Sequence, residues 1–592
     1  MTASAERSSL HVADQGDLLP PPALGWHVAR RRLAHSFATR PTVVTARHFA
    51  GNPDDDAATV IDHGWQLEGF PRIPLEPIAW EQAARAHRSW GFRLHTWSFL
   101  DPVVREYLDT GAPDLLAWCV RVAGSWVRAH QAGNEPADDG GTMAWYDMAL
   151  SLRAPRLAWL LRTALTSGES LPDGQVEVLY QATLAHQRAL GRAAAYNGRN
   201  NHGFYTAVGQ MVLAREMRPL PGMARLHAQG RARLADIAGR QFLPDGGHAE
   251  HSPGYHQMLL RDFRLAQDLG LVTDPAVRRR LERARSVLDW MVQPDGRLVQ
   301  FGDTADLATD ARPDRSDRGD VEAVAFPESG YAFARAGRRR DGEMYLAQTA
   351  AFHSRAHKHA DDGAVVWHDR GHEWLVDGGR FGYAELLPAD SPLRARGFYY
   401  GTPERQYVES STAHTTVTCD RQDHERRARA PYGSGIVDAQ VRDGHVRLRS
   451  SVDHGHWTHR RSVVALPGRW LLLLDQVDSS DTGDHVFQTW LNLPGDAEVV
   501  READRLRVAR TDPEAVLWIQ SWGEGGHLIR PVRGETGPPL RGWRSVQDRQ
   551  LDPAWSTGYE SGPTGHHLFR VLLHHGDHPA AGVPEHPFDT ER

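Results

Sequence analysis

A stretch rich in histidine and aspartate, His353 to Tyr383, contains the residue types best suited to chemistry in this chain. Its His357 and His359 are two positions apart, so on an extended backbone both imidazoles point to the same face. Two imidazoles that meet a carboxylate such as Asp377 can bind a divalent metal or form an acid/base site. The alternative interpretation is a solvated, histidine-rich turn region that does no chemistry.

Two apolar runs inside this stretch predict the β-hairpin that would position those groups. Val365–Trp367 and Trp374–Val376 have the composition of short strands, and the polar turn Asp369–Gly371 separates them. Such a hairpin returns Asp377 towards the beginning of its first strand, and therefore towards the two histidines.

His414 is a further candidate ligand, because it immediately precedes another strand-like run. A set of His359, Asp377 and His414 would meet the preference of zinc for nitrogen and oxygen donors. It would leave one coordination position for water or for a structural contact. This spacing is less specific than paired CxxC motifs.

Two polar clusters interrupt the helical patterns in the first half of the chain. Tyr196–Gly203 places amides and an imidazole at a break between helices, where side chains can face a cleft or cap a helix end. Phe242–His256 contains turn residues, and Ser252-Pro253 can begin the next helix. Tyr255 would then lie near the positive end of the helix dipole, which lowers a tyrosine pKa and favours proton transfer. A capped helix with a surface tyrosine is the alternative.

The totals indicate a globular protein of two or three domains. The chain has 592 residues, with 40% hydrophobic and 24% charged residues. Its net charge is −7 and no block of like charge indicates a nucleic-acid surface, so an anionic substrate would need a local basic site. The two cysteines, Cys119 and Cys419, are predicted to be separate buried thiols.

No segment for export or membrane insertion is recognised. The N-terminus lacks a basic region followed by an apolar stretch, and no window reaches the roughly 18 consecutive apolar residues of a membrane span. We therefore expect a cytoplasmic protein without a membrane span.

The hydrophobic pattern divides the chain into a helical part and a strand-rich part. We predict a partly helical leader at 1–60, a helical domain at 61–303, a linker at 304–320 and a β domain at 321–592. Helix-face spacing, as in the run from Val176, predicts many antiparallel helices in a toroid of helical hairpins or a solenoid. No strict repeat favours the solenoid. The later short strands predict an antiparallel β-sandwich.

Taken in order, the motifs resemble those of the bacterial heparinase II/III-like polysaccharide lyases. The matching motifs are WGFRLHTW at 90–97, Asn201-His202, PDGGHAEHSPGYH at 244–256, FGD at 301–303, FPESGY at 326–331, HKHAD at 357–361, LVDGG at 375–379 and SSTAHTTV at 410–417. The resemblance implies an N-terminal (α/α) toroid followed by a C-terminal antiparallel β-sandwich. It also implies cleavage of uronic-acid poly- or oligosaccharides by β-elimination, which gives unsaturated uronate products.

The resemblance also implies roles for individual residues. Asn201 is expected to contact the uronate carboxylate, His202 and Tyr255 to transfer protons, and His357 to face the cleft from the sandwich. The family's zinc ligands match three residues that are named here: His359, Asp377 and His414. The zinc is expected to be structural. Thr415 stands where family members usually have Asn, which bears on the orientation of the ligands.

The substrate-binding candidates are drawn from the same motifs and from the segment after them. They are Glu250, His95, Tyr383 and Arg405.

The expected mechanism needs a group that stabilises the charge of an enolate-like intermediate, a base for the C5 proton and an acid for the C4 oxygen. Tyr255 is the expected acid, and for one C5 configuration also the base. His202 is the expected base for the other configuration.

Two other functions remain open from the sequence. A glycoside hydrolase on a helical toroid would use two carboxylates, for which Asp245 and Glu250 are candidates. A non-catalytic carbohydrate-binding protein can keep the same fold. A cytoplasmic lyase would act on imported oligosaccharides, and a homodimer is compatible with the sequence.

Overall fold

The computed structural model describes residues 23–51, 55–67, 70–78, 80, 88–130, 143–169, 171–309, 321–337, 343–383, 385–512, 514–522 and 526–576. Residues 1–22 of the predicted leader and 310–320 of the predicted linker lie outside the described residues. The chain divides into two compact units. The first is Met1–Gln241 with Phe263–Arg278, and the second is Phe242–Asp262 with Arg279–Arg592.

Helices dominate the first unit. The helices are α1 Trp26–Thr39, α2 Ala57–His63, α3 Arg88–His95, α4 Asp101–Thr110, α5 Pro113–Ala129, α6 Asp147–Thr166, α7 Asp173–Gly191, α8 His202–Glu216, α9 Met223–Gln241, α10 Pro253–Asp268, α11 Pro275–Trp290, α12 Pro392–Ala395 and α13 Pro403–Glu409. Helices α10 and α11 each have residues in both units, and α12 and α13 belong to the second. The predicted apolar face of α7, which includes Val176, Leu179 and Tyr180, is buried.

Strands dominate the second unit. They are β1 Glu322–Phe326, β2 Tyr331–Ala336, β3 Met344–Thr349, β4 Ala351–Phe352, β5 Val365–Asp369, β6 His372–Leu375, β7 Val417–Cys419, β8 Gly433–Ser434, β9 Ile436–Arg442, β10 His445–Asp453, β11 Trp457–Leu466, β12 Trp470–Ser479, β13 Phe487–Leu493, β14 Glu498–Glu502, β15 Arg505–Thr511, β16 Glu514–Ser521, β17 His527–Arg533, β18 Trp543–Arg544, β19 Asp552–Pro553, β20 Trp555–Glu560 and β21 His566–His575.

Three antiparallel sheets enclose the core of the second unit. Their strand orders are β14-β15-β16-β21-β12-β11-β10-β9, β1-β2-β3-β5-β6 and β17-β20-β13-β7. Leu473, Leu346 and Leu491, one from each sheet, are fully buried in one hydrophobic cluster. The predicted fold, an N-terminal (α/α) toroid and then an antiparallel β-sandwich, is confirmed.

The predicted hairpin between the two apolar runs is present as β5 and β6. Trp367 pairs with Leu375 in the antiparallel register. Arg370 and Gly371 form the turn with φ of 52° and 81°, which explains why glycine is favoured there. Asp377 follows two residues after β6, as the pattern predicted.

Two further predictions concern the cysteines and the membrane. Cys119 and Cys419 are both free and buried, as predicted. Among the helices that the structure describes, none has the length and apolar character needed to cross a membrane.

Candidate active site

Asp303 is the centre of a buried hydrogen-bonded cluster in the second unit. Its Oδ2 accepts hydrogen bonds from His357 Nδ1 at 2.8 Å and from the Tyr383 hydroxyl at 2.7 Å. Its Oδ1 accepts from His359 Nε2 at 2.9 Å and lies 2.5 Å from Arg405 Nη2. Burial alone would raise the pKa of Asp303, but Arg405 and both imidazoles hold it well below its ordinary range. Asp303 is therefore an ionised hydrogen-bond acceptor for this whole cluster.

The backbone at Gly302 explains how Asp303 reaches this position. Gly302 has φ of 52°, and a Cβ there would lie 2.8 Å from the His251 carbonyl oxygen and 3.0 Å from the His357 carbonyl oxygen. Only glycine fits between these two backbone segments. The FGD motif thus threads Asp303 between the chain before Tyr255 and the loop that carries His357.

Tyr255 is stacked on His357 and is hydrogen-bonded to a second tyrosine. The ring centroids of Tyr255 and His357 are 3.7 Å apart, with an interplanar angle of 23°. The Tyr255 and Tyr383 hydroxyls are 3.0 Å apart. Because Tyr383 donates its own proton to Asp303, the Tyr255 hydroxyl is the donor in this contact. The arrangement orders a chain of hydrogen bonds from Tyr255 to Asp303.

The predicted lowering of the Tyr255 pKa by the helix dipole is wrong. Tyr255 does lie in the first turn of α10, as predicted. Burial, followed by the charge of Asp303, nevertheless raises its pKa to about 12, and Tyr383 and Arg380 only partly oppose this. Desolvation outweighs a dipole effect that extends over one turn. Tyr255 is a neutral phenol at ordinary pH, and therefore a proton donor.

Glu250 and His251 contact the same loop from the segment before α10. The Glu250 carboxylate is buried, with Oε2 3.4 Å from His357 Nε2. His251 Nε2 accepts a hydrogen bond from the His353 backbone N–H at 2.8 Å, so its Nδ1 carries the proton and donates to the Ala356 carbonyl at 3.1 Å. A neutral His251 imidazole thereby fixes the chain immediately before His357.

The predicted metal ligands in the second unit form a buried pair of histidines with separate carboxylate partners. The His359 and His414 rings have centroids 5.4 Å apart. Asp377 Oδ2 accepts from His414 Nδ1 at 2.8 Å, and Asp303 Oδ1 accepts from His359 Nε2. The other two nitrogens, His359 Nδ1 and His414 Nε2, are buried without a hydrogen-bond partner.

These orphaned nitrogens fit a metal-binding pair. Metal-ligating histidines commonly donate their second N–H to a carboxylate, as His359 and His414 do here. In this arrangement Asp377 orients the His414 ring, because Asp377 Oδ2 accepts the hydrogen bond from the His414 Nδ1–H group.

Asn201 and His202 lie in the first unit, at the beginning of α8. Asn201 is the residue before the helix, and His202 is its first residue. The His202 Nδ1 is 3.2 Å from Asp147 Oδ2 and 3.3 Å from the Tyr146 hydroxyl. Asp147 therefore orients the imidazole and leaves Nε2 as the basic nitrogen.

Two substrate-binding candidates are buried and already paired. His95 is fully buried, and its Nδ1 accepts a hydrogen bond from Trp126 Nε1 at 2.9 Å in the helical core. Arg405 is 3% exposed and pairs with Asp303 and with Glu409 Oε1, the latter at 2.6 Å. Contact of either side chain with substrate stays a prediction.

Tyr383 and Arg405 both line a cavity of 270 Å³ in the second unit. Asp303, His357 and Tyr400 also line this cavity, and the Tyr383 and Tyr400 rings stack with centroids 4.8 Å apart. A concave site with aromatic walls and a few convergent polar groups is a candidate binding site.

Four residues that support the predicted site residues had no predicted role. They are Asp303, which occurs in the FGD motif, and His251, Asp147 and Arg380. The only local signals were the position of Asp303 after a glycine and the repeated histidines around Glu250.

Comparisons with known proteins give a consistent family. The model of the heparinase II/III N-terminus matches residues 32–313, and the heparinase II/III-like C-terminal model matches residues 318–555. The solved heparan sulfate lyase HepC from Pedobacter heparinus matches with a TM-score of 0.66 at 16% identity, covering 94% of this chain and 89% of that one. A heparinase III structure matches with a TM-score of 0.67 at 15% identity, covering 93% and 89%. Comparison with curated proteins gives no match.

Proposed function

Because the chain belongs to the heparinase II/III family of polysaccharide lyases, we propose that it cleaves uronic-acid poly- or oligosaccharides by β-elimination. Its product would carry an unsaturated uronate at the new chain end. The observation that supports this best is the Tyr255 phenol, which stacks on His357 and is linked through Tyr383 to Asp303. A neutral, oriented phenol is the proton donor that the leaving C4 oxygen requires.

Tyr255 protonates the C4 oxygen in the proposed reaction. Its raised pKa keeps the hydroxyl protonated until the substrate oxygen develops negative charge. Stacking on His357 holds the phenol ring in one place, so little orientation is lost in the transition state. The proton that the hydroxyl donates to Tyr383 in the free protein is the one that would pass to the C4 oxygen. A positioned proton transfer of this kind contributes about 10²- to 10⁴-fold to the rate.

His202 is the proposed base for the C5 configuration in which Tyr255 does not take the proton. Asp147 engages Nδ1, which directs the basicity to Nε2. Asn201, next in the chain, would donate to the uronate carboxylate and stabilise the charge that develops when the C5 proton leaves. For the other C5 configuration the family resemblance implies Tyr255 as both base and acid, but its raised pKa keeps the phenol protonated, so the geometry supports only the acid role.

Zinc is the proposed metal, held by His359 Nδ1 and His414 Nε2. The support is the pair of buried imidazole nitrogens without partners. Asp303 and Asp377 would orient these rings. When bound, the zinc would supply a structural cross-link between the loop after His357 and the segment before β7. The proton transfers use other residues.

The hydrolase alternative receives less support. Asp245 Oδ2 accepts hydrogen bonds from the backbone N–H groups of Glu328 and Ser329 at 2.9 and 2.8 Å, so it holds a turn. Glu250 pairs with His357. A pair of free carboxylates for glycoside hydrolysis is therefore not assembled from these two residues.

The test compares wild type with Tyr255→Phe on a panel of uronic-acid polymers and oligosaccharides. We expect wild type to release products that absorb in the near ultraviolet, and Tyr255→Phe to lose at least about 10²-fold of that rate. Tyr432→Phe is the matched control, because Tyr432 also donates its hydroxyl to a buried carboxylate, Asp362 at 2.8 Å. New reducing ends without the ultraviolet signal would contradict the lyase and favour a hydrolase.

A further inference from the structure

Arg380 lies beside the two tyrosines of the site without a direct ion-pair partner among the described residues. Its guanidinium carbon lies 4.6 Å from the centroid of the Tyr383 ring. Its Nε is buried without a hydrogen-bond partner. Asp303 and Asp548 act on its charge, but neither forms a direct ion pair with it among the described residues. A half-buried guanidinium in this state has lost part of its hydration, and the Tyr383 ring replaces only part of it.

The backbone of Arg380 is held by hydrogen bonds, which fixes the point from which its side chain extends towards Tyr383. The Ser545 hydroxyl donates to the Arg380 carbonyl at 2.7 Å, and the Ser545 N–H donates to the Gly378 carbonyl at 2.9 Å. Gly379 has φ of 73°, and a Cβ there would lie only 2.4 Å from the Ser545 carbonyl oxygen. The segment after Asp377 is thus fixed against the residue that follows β18.

The neighbouring arginine, Arg405, differs from Arg380 in its ion pairs. Arg405 also lies over the Tyr383 ring, at 5.3 Å, but Asp303 and Glu409 both neutralise it. Arg380 has no such partner. The positive charge of Arg380 is therefore not neutralised by a direct ion pair, and it lies beside the Tyr255–Tyr383 pair.

We propose that Arg380 binds the carboxylate of the uronate that reacts beside Tyr255. This inference rests on the proposed lyase function and names the group that the site recognises. A planar guanidinium matches a carboxylate with two parallel hydrogen bonds. The carboxylate is bonded to C5, so a guanidinium near the acid Tyr255 is placed where the reacting sugar must lie.

The same contact would strengthen during the reaction. When the C5 proton leaves, the electron pair of the C–H bond delocalises into the carboxylate and its oxygens gain negative charge. The bond between C4 and its oxygen then breaks, and Tyr255 supplies the proton to that oxygen. A guanidinium bound to the carboxylate stabilises the transition state more than the ground state, so its loss lowers kcat as well as raising KM.

The test measures binding and turnover separately. Binding is measured by calorimetry in the Tyr255→Phe background, with an unsulfated glucuronate-containing oligosaccharide and its carboxyl-reduced, neutral counterpart. We expect the Tyr255→Phe protein to bind the carboxylate form about 10- to 100-fold more tightly than the neutral form. Adding Arg380→Gln should remove most of that difference, and the remainder would be due to Asn201. Arg380→Lys should retain part of it, since the charge remains.

Turnover in the Tyr255 wild-type background completes the test. Arg380→Gln should lower kcat and raise KM on the same oligosaccharide. Arg505→Gln is the control. The guanidinium carbon of Arg505, in β15, lies 3.9 Å from the centroid of the Trp518 ring, in β16, and Arg505 is not part of the site. Thermal unfolding of each variant confirms that it is folded.

The outcomes separate the two proposals. If wild type releases no unsaturated product, the lyase function fails, and the binding arm still decides the role of Arg380. If Arg380→Gln keeps the preference for the carboxylate form and wild-type kinetic constants, the role of Arg380 is overturned while the lyase function stands.

Discussion

The phenol ring of Tyr255 and the imidazole of His357 are stacked with their centroids 3.7 Å apart, although they come from segments far apart in the sequence. Tyr255 belongs to the first turn of α10, whereas His357 lies in the loop before β5. Asp303 supports this stack because it accepts hydrogen bonds from His357 Nδ1 and from the Tyr383 hydroxyl. The acid of the proposed reaction and the histidine that faces it are thus positioned by one carboxylate.

Tyr255 should ionise only at a pH well above the usual pKa of a tyrosine. Burial and the charge of Asp303 raise its pKa to about 12, and an unperturbed tyrosine has a value of about 10. The measurement is the tyrosinate absorbance of wild type after the absorbance of Tyr255→Phe has been subtracted. We expect this difference to appear only as the pH approaches about 12. The stability that this shift contributes should be present below about pH 10 and be lost as the pH rises further. A difference spectrum that titrates at or below about pH 10 would contradict the assignment.

Asp303→Asn should lower both activity and stability. The substitution removes the charge that orders His357 and Tyr383, and it leaves Arg405 with only Glu409 as a partner. We expect a loss of about 10²-fold or more in kcat/KM and a decrease of about 3–5 kcal/mol in the free energy of unfolding, measured by denaturant titration.

Glu409→Gln separates these two effects. Glu409 pairs with Arg405 and with Arg426, and among the described residues it has no hydrogen bond to His357 or Tyr383. The Gln variant should lose stability and keep most of its kcat/KM. If both variants lose activity equally, Asp303 acts only through Arg405 and its proposed role in ordering the acid is wrong.

Acid should destabilise the protein well before its carboxylates are protonated. Burial lowers the pKa of His256 and of His424 to about 4, whereas the unfolded chain has the ordinary value of about 6.5. The unfolded state therefore binds more protons in this range, so the stabilisation is present above about pH 6.5 and is lost as the pH falls towards about 4. Each shift corresponds to a loss on the order of 3 kcal/mol.

Denaturant unfolding at several pH values checks this expectation. His256 Nε2 donates to the Ala284 carbonyl at 2.7 Å, and an amide can replace that donor without titrating. His256→Gln should therefore show a weaker dependence of unfolding free energy on pH than wild type between about pH 6.5 and 4. Identical slopes for the two proteins would count against a buried neutral His256.

Zinc should bind to wild type and be lost from His414→Ala. Metal content after dialysis and the change in thermal midpoint on adding a chelator are the measurements. His454→Ala is the comparison, because Asp362, His424 and His454 are a second buried group with metal-ligating side chains. Arg429 Nη1 lies 3.5 Å from Asp362 Oδ2 and 3.4 Å from His454 Nδ1. The guanidinium of Arg429 therefore already supplies a positive charge to this group. Loss of zinc from His454→Ala with retention in His414→Ala would contradict the proposed ligands.

The sequence predicted the parts of the site that depend on local order. The hairpin of β5 and β6 follows from two apolar runs and a turn, and the start of α10 follows from Ser252-Pro253. The return of that hairpin was expected to bring Asp377 towards His357 and His359, whereas its Oδ2 accepts a hydrogen bond from His414 Nδ1. Its role as a metal ligand stays a prediction.

The parts that the sequence did not predict depend on contacts between distant segments. Asp303 follows a glycine in a short loop, a pattern that occurs at many surface turns. Its role exists only because His357, His359 and Tyr383 meet it in space. The Tyr255 pKa was predicted in the wrong direction for the same reason, because the helix dipole is local whereas burial and the Asp303 charge are tertiary effects.

The close approach of the backbone at Gly302 has a consequence for reading natural variants. Any side chain at this position would collide with the carbonyls before Tyr255 and at His357, and would separate the acid from its supporting carboxylate. A protein with Gly302 replaced would retain every functional group of the site and still be inactive. Loss of activity among variants must therefore be judged from the spacing of the main chain as well as from the identity of the reacting side chains.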